Sequence, residues 1–579
     1  MRGRCIILGL TLWAAMGCDD DNSAAGADAQ AADEAVAVDQ AEADAQDPGP
    51  GGDLAVEADA APDAGPPDWP ALAPPDDVTL GTVRRHVVWV DGVAAPPNPT
   101  TGEATPPELN RVRVLSYAPA DGTPPEALIV TMPGFLGGAM SFDGTARALV
   151  EEAAAQGMSL EVQVIDRRAN LLEDLRGMLA ADVGGDGAIA RAYYRNEGTV
   201  GGRSFEGLHA ASEVSFMSEW GLAVHLGDLR NVIALVPEAR RRGHVFLMGH
   251  SFGTAISELY AAWRFADGRR GAEDLAGLIL LDGSLPAAID EAAWRTDGVS
   301  LGIASVPGVD KQRAEGPRFA ALPLLGAEVL VNAQILGLSA RFAPDAVVDD
   351  PEFPPLYALL FGGAPMPALT ARTALALVFD DDSSPLGFAR ATLGALDGPA
   401  ERYQNIIASE ELLRPSDATR AYAWRDAFTL EPPEYTPITL FSEIVASGPT
   451  NFYEWYFPTR LLNDVFACGS AAVPEDGWQA TEGLRAFDGP LDDAPILSFD
   501  AALISGDAMA AIAGRVAPTV GEGRPNAGAR RDDPRGFELV DVNDMAHLDM
   551  GTAPRSAQNV IPPKIVAFVR ANAEPGPIE

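Results

Sequence analysis

The sequence predicts an α/β fold with a mainly parallel sheet flanked by helices. Two observations carry this prediction. Short apolar runs typical of buried strands alternate along the chain with segments of helical spacing. In addition, the apolar run at 245–248 passes directly into a helical segment through Gly249-His250-Ser251-Phe252-Gly253. A strand followed at once by a helix is the basic unit of such a fold.

The elements follow from apolar runs and their spacing, taken in chain order. Predicted strands lie at 83–90, 111–117, 127–132, 160–165, 245–248, 275–281, 495–500 and 536–543. Predicted helices lie at 146–155, 228–242, 254–262 and 561–571. The folded domain is expected to begin near Asp77, and its two core parts are 77–283 and 494–579.

The pentapeptide around Ser251 is the strongest motif. A serine at a sharp strand-to-helix turn is held in a strained conformation with its hydroxyl exposed above the sheet. The residues two before and two after it must be small, and both are glycine. The following helix also directs its N-terminal N–H groups and dipole toward this point. We therefore interpret Ser251 as a nucleophile.

Composition limits the possible partners. The 579 residues carry a formal net charge of −42, which argues against nucleic acid or an anionic membrane surface as a partner. Of three cysteines, Cys5 and Cys18 lie in the N-terminal segment, so only Cys468 belongs to the folded part. We expect Cys468 to be a buried apolar residue, with no internal disulfide.

The N-terminus has the features of a targeting signal at 1–17. Arg2 and Arg4 precede an apolar stretch at 6–15, which is too short to span a bilayer. Residues 15–18, Ala-Met-Gly-Cys, resemble a bacterial lipobox in which Cys18 is lipid-modified. An ordinary secretory signal with cleavage elsewhere is the alternative. The first interpretation predicts an extracytoplasmic protein of the cell envelope, periplasmic or at the surface, attached to a membrane through lipid.

The segment 18–76 consists mostly of Ala, Asp, Glu, Pro and Gly, and no Lys or Arg follows Arg4 until Arg84. Such a segment cannot bury enough apolar surface to offset its ordering entropy. We expect a disordered, extended tether, with a binding tail as the alternative.

Residues 284–493 are too numerous for a loop between two core elements. Helical patterns at 355–361 and 371–379 predict an inserted, mostly helical cap. Near its end, 452–457 reads Phe-Tyr-Glu-Trp-Tyr-Phe. These aromatics either line an apolar substrate pocket or pack the cap onto the sheet, and packing is the commoner use of such residues.

The Gly249–Gly253 turn, the Pro133–Gly138 loop after an early strand and one late histidine together resemble the α/β-hydrolase superfamily, in particular its lipases and esterases. Ala546-His547-Leu548-Asp549 is similar to the His-Leu-Asp of acid-lipase-like hydrolases. The resemblance covers the chain from about Asp77 onward. One departure is Pro133-Gly134, where the family often has His-Gly and a side chain that steadies the loop.

In this fold the triad runs in the chain order Ser, acid, His. His547 is the only histidine after Ser251 and is therefore the predicted base. Asp500, at the end of the strand after the insertion, is the first choice of acid; Asp507 is second and Asp282 third. The resemblance implies an oxyanion hole formed by the backbone N–H groups of Phe135 and Phe252.

We expect neither a cofactor nor a metal. The sequence Gly184-Gly-Asp-Gly187 lacks the Lys-Ser/Thr of a phosphate-binding loop, and no His or Cys spacing fits zinc. The run Asp380–Asp382 could bind a cation, although a solvated loop is the preferred interpretation.

These features predict a lipid-anchored serine hydrolase that cleaves small-molecule or lipid carboxylic esters through an acyl-enzyme. Analogy with the family suggests a bulky or apolar acyl group beneath the cap. The same residues would also serve an amidase, a peptidase or an acyltransferase. A third hypothesis is an inactive surface-binding lipoprotein on a hydrolase scaffold. The oligomeric state remains open.

Overall fold

The structure is a computed structural model that describes residues 66–578, with gaps at 302–303, 321–325, 406–407, 409, 447, 470–472, 475, 486–490, 492–493, 502–513, 515, 518, 531–532 and 534. The predicted signal peptide, Cys18 and most of the predicted tether lie outside the described residues. In the described part of the chain, no helix is long and apolar enough to cross a membrane.

A nine-stranded sheet forms the centre of the fold. Its strands are β1 (Asp77–Leu80), β2 (Val83–Asp91), β3 (Arg111–Pro119), β4 (Ala127–Met132), β5 (Leu160–Asp166), β6 (Val245–His250), β7 (Gly277–Leu281), β8 (Ile496–Asp500) and β9 (Phe537–Asp541). Across the sheet the order is β9-β8-β7-β6-β4-β5-β3-β2-β1. Strands β4 to β9 are parallel, and β1 to β3 form an antiparallel edge. The predicted α/β fold with a mainly parallel sheet is confirmed.

The inner strands of the sheet are formed by apolar runs because they are buried on both faces. Every residue of β4, β6, β7 and β8 is buried. Helices cover a parallel sheet on both faces, so its strands carry continuous apolar runs and not an alternating pattern. This is why short stretches such as Gly277–Leu281 could be recognised as strands without any period-two signal.

The described residues form fifteen α-helices around the sheet. They are α1 (Asp143–Ala155), α2 (Arg176–Gly184), α3 (Gly187–Tyr194), α4 (Leu222–Ile233), α5 (Glu238–His244), α6 (Phe252–Ala262), α7 (Val309–Ala314), α8 (Ala327–Phe342), α9 (Phe353–Leu360), α10 (Ala371–Phe379), α11 (Ile438–Ala446), α12 (Thr459–Cys468), α13 (Trp478–Thr481), α14 (Asp549–Thr552) and α15 (Ile561–Asn572). The single helix expected at 228–242 is two helices, α4 and α5. Pro237 stands directly before α5, where its missing N–H and fixed φ suit a helix start but not a helix interior.

The insertion between β7 and β8 holds α7 to α13 together with three small sheets. Their strands are Val299–Leu301 with Ala304–Val306, Ala368–Leu369 and Gly394–Asp397 on either side of Ala421–Asp426, and Ala400–Gln404 with Glu411–Pro415. The sequence analysis did not predict these strands. Cys468, at the end of α12, is buried, and burial raises the pKa of its thiol well above the usual range.

Residues before the predicted boundary near Asp77 also form regular structure. Asp68–Trp69 pairs in parallel with Thr199–Val200, and the Trp69 ring lies directly against Gly198. A large aromatic ring that gains a packing partner offsets the ordering entropy of its short segment. The prediction of disorder is therefore wrong for this last part of the 18–76 segment.

Candidate active site

Ser251 lies at the turn between β6 and α6. Its φ of 54° and ψ of −124° place it in a region that costs a non-glycine residue energy. The neighbouring glycines are sterically required: a Cβ on Gly249 would lie 2.2 Å from the carbonyl oxygen of Gly253, and one on Gly253 would lie 2.1 Å from that of Met132. The Gly-x-Ser-x-Gly sequence thus produces the strained turn that was expected from it.

Ser251 and His547 line one apolar cavity of about 110 Å³. Gly134, Phe135 and Phe252 line it too, so the predicted serine, histidine and oxyanion residues meet in one place. Among the described residues Ser251 Oγ forms no hydrogen bond, so its hydroxyl is available to a ligand. In ligand-free active sites the bond between nucleophile and base often tightens only when substrate binds.

The carboxylate that contacts His547 is Asp282. Its Oδ2 lies 2.6 Å from His547 Nδ1, and both side chains are buried. Asp282 itself is fixed: its Oδ1 accepts from the Ala501 N–H at 3.2 Å, and its own N–H donates to Phe499 O at 3.0 Å. An imidazole held in this way at Nδ1 presents Nε2 to a nucleophile.

The preferred assignment of Asp500 as the acid is therefore wrong. The register explains the correction. His250, the last residue of β6, pairs with Leu281, the last residue of β7. Ser251 and Asp282 therefore directly follow two adjacent strands, and the Ser251 N–H donates to Leu281 O at 2.9 Å. Asp500 ends the following strand, roughly 4.8 Å farther from Ser251 by the usual spacing of strands. Asp507, the second choice, lies outside the described residues.

Asp500 is nevertheless an unusual residue. It is buried, and its Oδ1 has no hydrogen-bond partner among the described residues. Burial, followed by the nearby carboxylates of Asp282 and Asp541, raises the pKa of Asp500 to about 6. The sequence correctly indicated a strand-end carboxylate here, but no described residue gives this carboxylate a cationic or imidazole partner.

Two residues hold the segment that carries His547, and sequence reasoning missed both. His250 Nε2 donates to the backbone oxygen of His547 at 3.0 Å, and burial lowers the pKa of His250 well below its usual value. Asp549 is buried and accepts from the Ala546 N–H at 2.8 Å, from the Thr392 hydroxyl at 2.9 Å and from the Thr436 hydroxyl at 2.6 Å. The insertion therefore helps to position the histidine. The Ala-His-Leu-Asp motif was the available signal for Asp549.

The loop after β4 supplies the predicted oxyanion donors. A Cβ on Gly134 would lie 2.9 Å from Ser251 Cβ, so this loop passes directly beside the serine. Neither the Phe135 N–H nor the Phe252 N–H donates to an acceptor among the described residues. Two unpaired N–H groups next to a free hydroxyl can bind an oxyanion.

Arg167 steadies this loop, which lacks the histidine that the family often has there. Its guanidinium donates to the carbonyl oxygens of Pro133 and Gly134 at 2.8 Å and of Gly137 at 2.9 Å. It also forms a buried ion pair with Glu454, at 2.5 Å. Arg167 directly follows β5 in the sequence, but no local pattern shows which carbonyl groups the arginine reaches.

The aromatic cluster at 452–457 both lines the cavity and packs the insertion against the core. Phe452 and Tyr453 line the cavity. Phe457 instead packs edge-on against the rings of Phe135 and Phe252, with centroid distances of 4.8 and 5.5 Å. The insertion thus contacts both residues that supply the candidate oxyanion donors.

No group of residues suited to a metal ion occurs in the described part of the chain. Asp380 is buried, contrary to the solvated loop expected at Asp380–Asp382. Its two carboxylate oxygens accept from the N–H groups of Asp382 and Leu393, each at 3.2 Å, so this side chain closes a turn after α10.

Comparison with known proteins adds little beyond the fold. No family model and no curated protein matches the sequence. Solved structures that match include a protein proposed to be a lipase from Sulfolobus solfataricus, with 13% identity, a TM-score of 0.42 and coverage of 87% of this chain and 98% of the other. An α/β-hydrolase fold protein from Nakamurella multipartita shares 13% identity with a TM-score of 0.33, covering 84% of this chain and 99% of that one. Epoxide hydrolase A from Mycobacterium thermoresistibile shares 13% identity with a TM-score of 0.33, covering 79% and 95%.

Matches this distant carry no argument about the reaction. The fold rests on the chain's own strand order, on the strained turn after β6 and on the buried contact between His547 and Asp282, which directly follows the adjacent strand β7. By these features the chain has the α/β-hydrolase fold that the sequence resemblance implies.

Proposed function

We propose that this protein hydrolyses carboxylic esters with Ser251 as nucleophile, His547 as base and Asp282 as acid. The observation that carries the proposal is the strained Ser251 turn facing the same small cavity as the buried Asp282–His547 pair. A serine hydroxyl is a weak nucleophile at neutral pH and requires a base held in this manner.

Each of these residues has its own role in the hydrolysis. His547 accepts the proton of Ser251 Oγ while that oxygen attacks the ester carbonyl, and Asp282 stabilises the imidazolium that forms. The negative charge that develops on the carbonyl oxygen is received by the N–H groups of Phe135 and Phe252, each worth about 3 kcal/mol. His547 then returns the proton to the departing alcohol and leaves an acyl group on Ser251. A water molecule then attacks the acyl carbonyl while His547 takes its proton. His547 passes this proton to Ser251 Oγ as the bond to the acyl group breaks, which releases the acid and restores the serine.

The lining of the cavity supports an ester with an apolar acyl group. Apart from two serines, two histidines and Tyr453, its walls are largely apolar side chains, among them Leu330, Phe379 and Phe452. Such walls favour an uncharged carbonyl substrate and exclude the water that would weaken the oxyanion contacts.

Labelling with a fluorophosphonate, followed by turnover of a short nitrophenyl ester, tests the proposal. Ser251→Ala should abolish both while leaving the melting temperature nearly unchanged, because the hydroxyl has no partner among the described residues. Ser141→Ala is the matched control: Ser141 lines the same cavity, but its hydroxyl donates to Gly138 O at 2.7 Å. Labelling that persists in Ser251→Ala contradicts the proposal.

We further propose that Cys18 carries a lipid that anchors the protein in the cell envelope. The lipobox-like sequence at 15–18 and the acidic, cation-free segment that follows support this proposal. Cys18→Ser should move the protein from the membrane fraction to the soluble fraction. A variant that still sediments with membranes after a salt wash contradicts it.

A further inference from the structure

A second cavity, of about 450 Å³, lies beside the active-site cavity, between the insertion and residues 185–191 of the core. Helix α8 forms one wall of it, the start of α9 another, and the turn before α3 a third. Four side chains line both cavities: Val329, Ala333, Leu356 and Val378. The two spaces are therefore neighbours across a thin apolar partition.

The sizes of the two cavities indicate that they are used together. At about 110 Å³ the site cavity falls below the roughly 300–1,000 Å³ of ordinary small-molecule pockets, whereas the second cavity lies within that range. The first has room for the reacting ester group and little more. A substrate with a longer apolar portion must extend past the partition.

The mouth of the second cavity combines apolar and acidic side chains. Val347 and Leu359 line the cavity and are 58% and 49% exposed, which is unusual for large apolar residues. Five carboxylates also line this cavity. Asp349 and Asp350 form ion pairs with Arg191 and Arg195, while Asp186, Glu328 and Glu352 form none with any described residue. Excess negative charge at the mouth disfavours an anionic group there.

We propose that the second cavity holds the distal part of the acyl chain of a long, uncharged ester whose carbonyl lies at Ser251. The inference rests on the proposed function and specifies its substrate class. Ala333 is the smallest residue of the partition and faces both cavities, so it is the position at which the chain passes from one to the other. The exposed apolar residues at the mouth contact the end of the chain, and the surrounding carboxylates exclude esters with a charged terminus.

A chain-length series of nitrophenyl esters, each kept below its aggregation concentration, tests this proposal. In the wild type, kcat/KM should rise by about fourfold per added methylene once the chain passes the partition, as expected for burying each methylene. Asn332→Trp places a large side chain in the second cavity, which Asn332 lines, and leaves the active-site cavity untouched because Asn332 does not line it. This variant should remove the rise and leave the short esters within threefold of wild type. Ala423→Phe, at an exposed position of the same insertion, is the control and should behave as wild type.

A second variant, also at a residue that lines only the second cavity, tests the inference if Asn332→Trp fails to fold. Leu359→Glu changes an exposed side chain at the mouth and should lower turnover of the longest esters at least tenfold, with the short esters unaffected. A wild-type profile that is flat or falls with chain length overturns the inference while the proposed function stands. Equal hydrolysis of a long ester and its ω-carboxylate analogue overturns the assignment of an uncharged substrate. Absence of any short-ester turnover counts against the proposed function itself.

Discussion

Two aspartates at the ends of β7 and β8 differ in their hydrogen-bond partners. Asp282 and Asp500 follow adjacent parallel strands at the same level of the sheet, and both are buried. Asp282 Oδ2 lies 2.6 Å from His547 Nδ1, whereas one oxygen of Asp500 has no hydrogen-bond partner in the described part of the chain, and the pKa of Asp500 is raised to about 6. The difference arises from strand order alone, because β7 lies next to the strand that carries Ser251 and β8 lies one place farther out.

This comparison shows how a fold assigns chemistry to similar residues. A buried carboxylate beside an imidazole gains a charge-assisted hydrogen bond, which is among the stronger polar interactions in proteins. The neighbouring carboxylate of Asp500 is also buried, and no described residue gives it such a partner. The first is suited to orienting a base, and the second shifts toward its neutral form.

The largest expected effect comes from substituting the two aspartates separately. Asp282→Asn should reduce kcat for a nitrophenyl ester by about 10⁴-fold, because the amide favours the wrong tautomer of His547. Asp500→Asn should reduce it by less than about tenfold, because Asp500 makes no contact with the histidine. Steady-state kinetics on one ester measures both variants.

Both variants should fold, since each keeps the shape of the side chain, and melting curves serve as the control. A severe loss for Asp500→Asn with a mild loss for Asp282→Asn would reverse the assignment. If neither variant loses more than tenfold, the acid lies elsewhere.

A smaller effect is expected at Arg167, which holds the oxyanion loop through three carbonyl groups. Arg167→Lys keeps the charge beside Glu454 but cannot reach several carbonyl oxygens with a planar guanidinium. We expect kcat to fall by about 10²-fold, comparable with the loss of one oxyanion donor, with a smaller change in KM. The same kinetic assay measures it.

Glu454→Gln is the companion variant, because it retains an acceptor for the guanidinium while removing the charge. It should retain more activity than Arg167→Lys. An Arg167→Lys enzyme with wild-type kcat would show that the loop keeps its position without the arginine.

The smallest effect is the pH dependence of stability at Asp500. Its folded pKa of about 6 exceeds the usual value of 3.8, so the folded state binds this proton more tightly than the unfolded state. The protonated Asp500 side chain therefore contributes to the stability of the folded state. This contribution is complete below pH 3.8 and is lost as the pH rises through 6. Asp500→Asn should therefore be more stable than wild type above pH 6, by on the order of 1–2 kcal/mol after solvent screening, and not below pH 4.

Urea unfolding of both proteins at pH 4 and pH 7 measures this difference. Because other buried carboxylates titrate in both proteins, the informative quantity is the difference between variant and wild type at each pH. If the variant and the wild type differ in unfolding free energy by the same amount at pH 4 and at pH 7, the raised pKa of Asp500 is contradicted.

The sequence predicted the parts of this site that depend on neighbouring residues. The strained turn at Ser251 follows from two glycines and a buried strand, and His547 follows from its place in the chain. The choice of acid required the order of strands in the sheet, which apolar runs do not reveal. The contacts of Arg167 with Glu454, and of Asp549 with Thr392, join residues more than 150 positions apart, so no local pattern could indicate them.

The most direct test of the Asp282–His547 pair is a proton NMR spectrum that detects the His547 Nδ1–H bonded to a carboxylate, which resonates far downfield. The account predicts this resonance in wild type and in Asp500→Asn, and its loss in Asp282→Asn. A resonance that survives in Asp282→Asn and disappears in Asp500→Asn would contradict it.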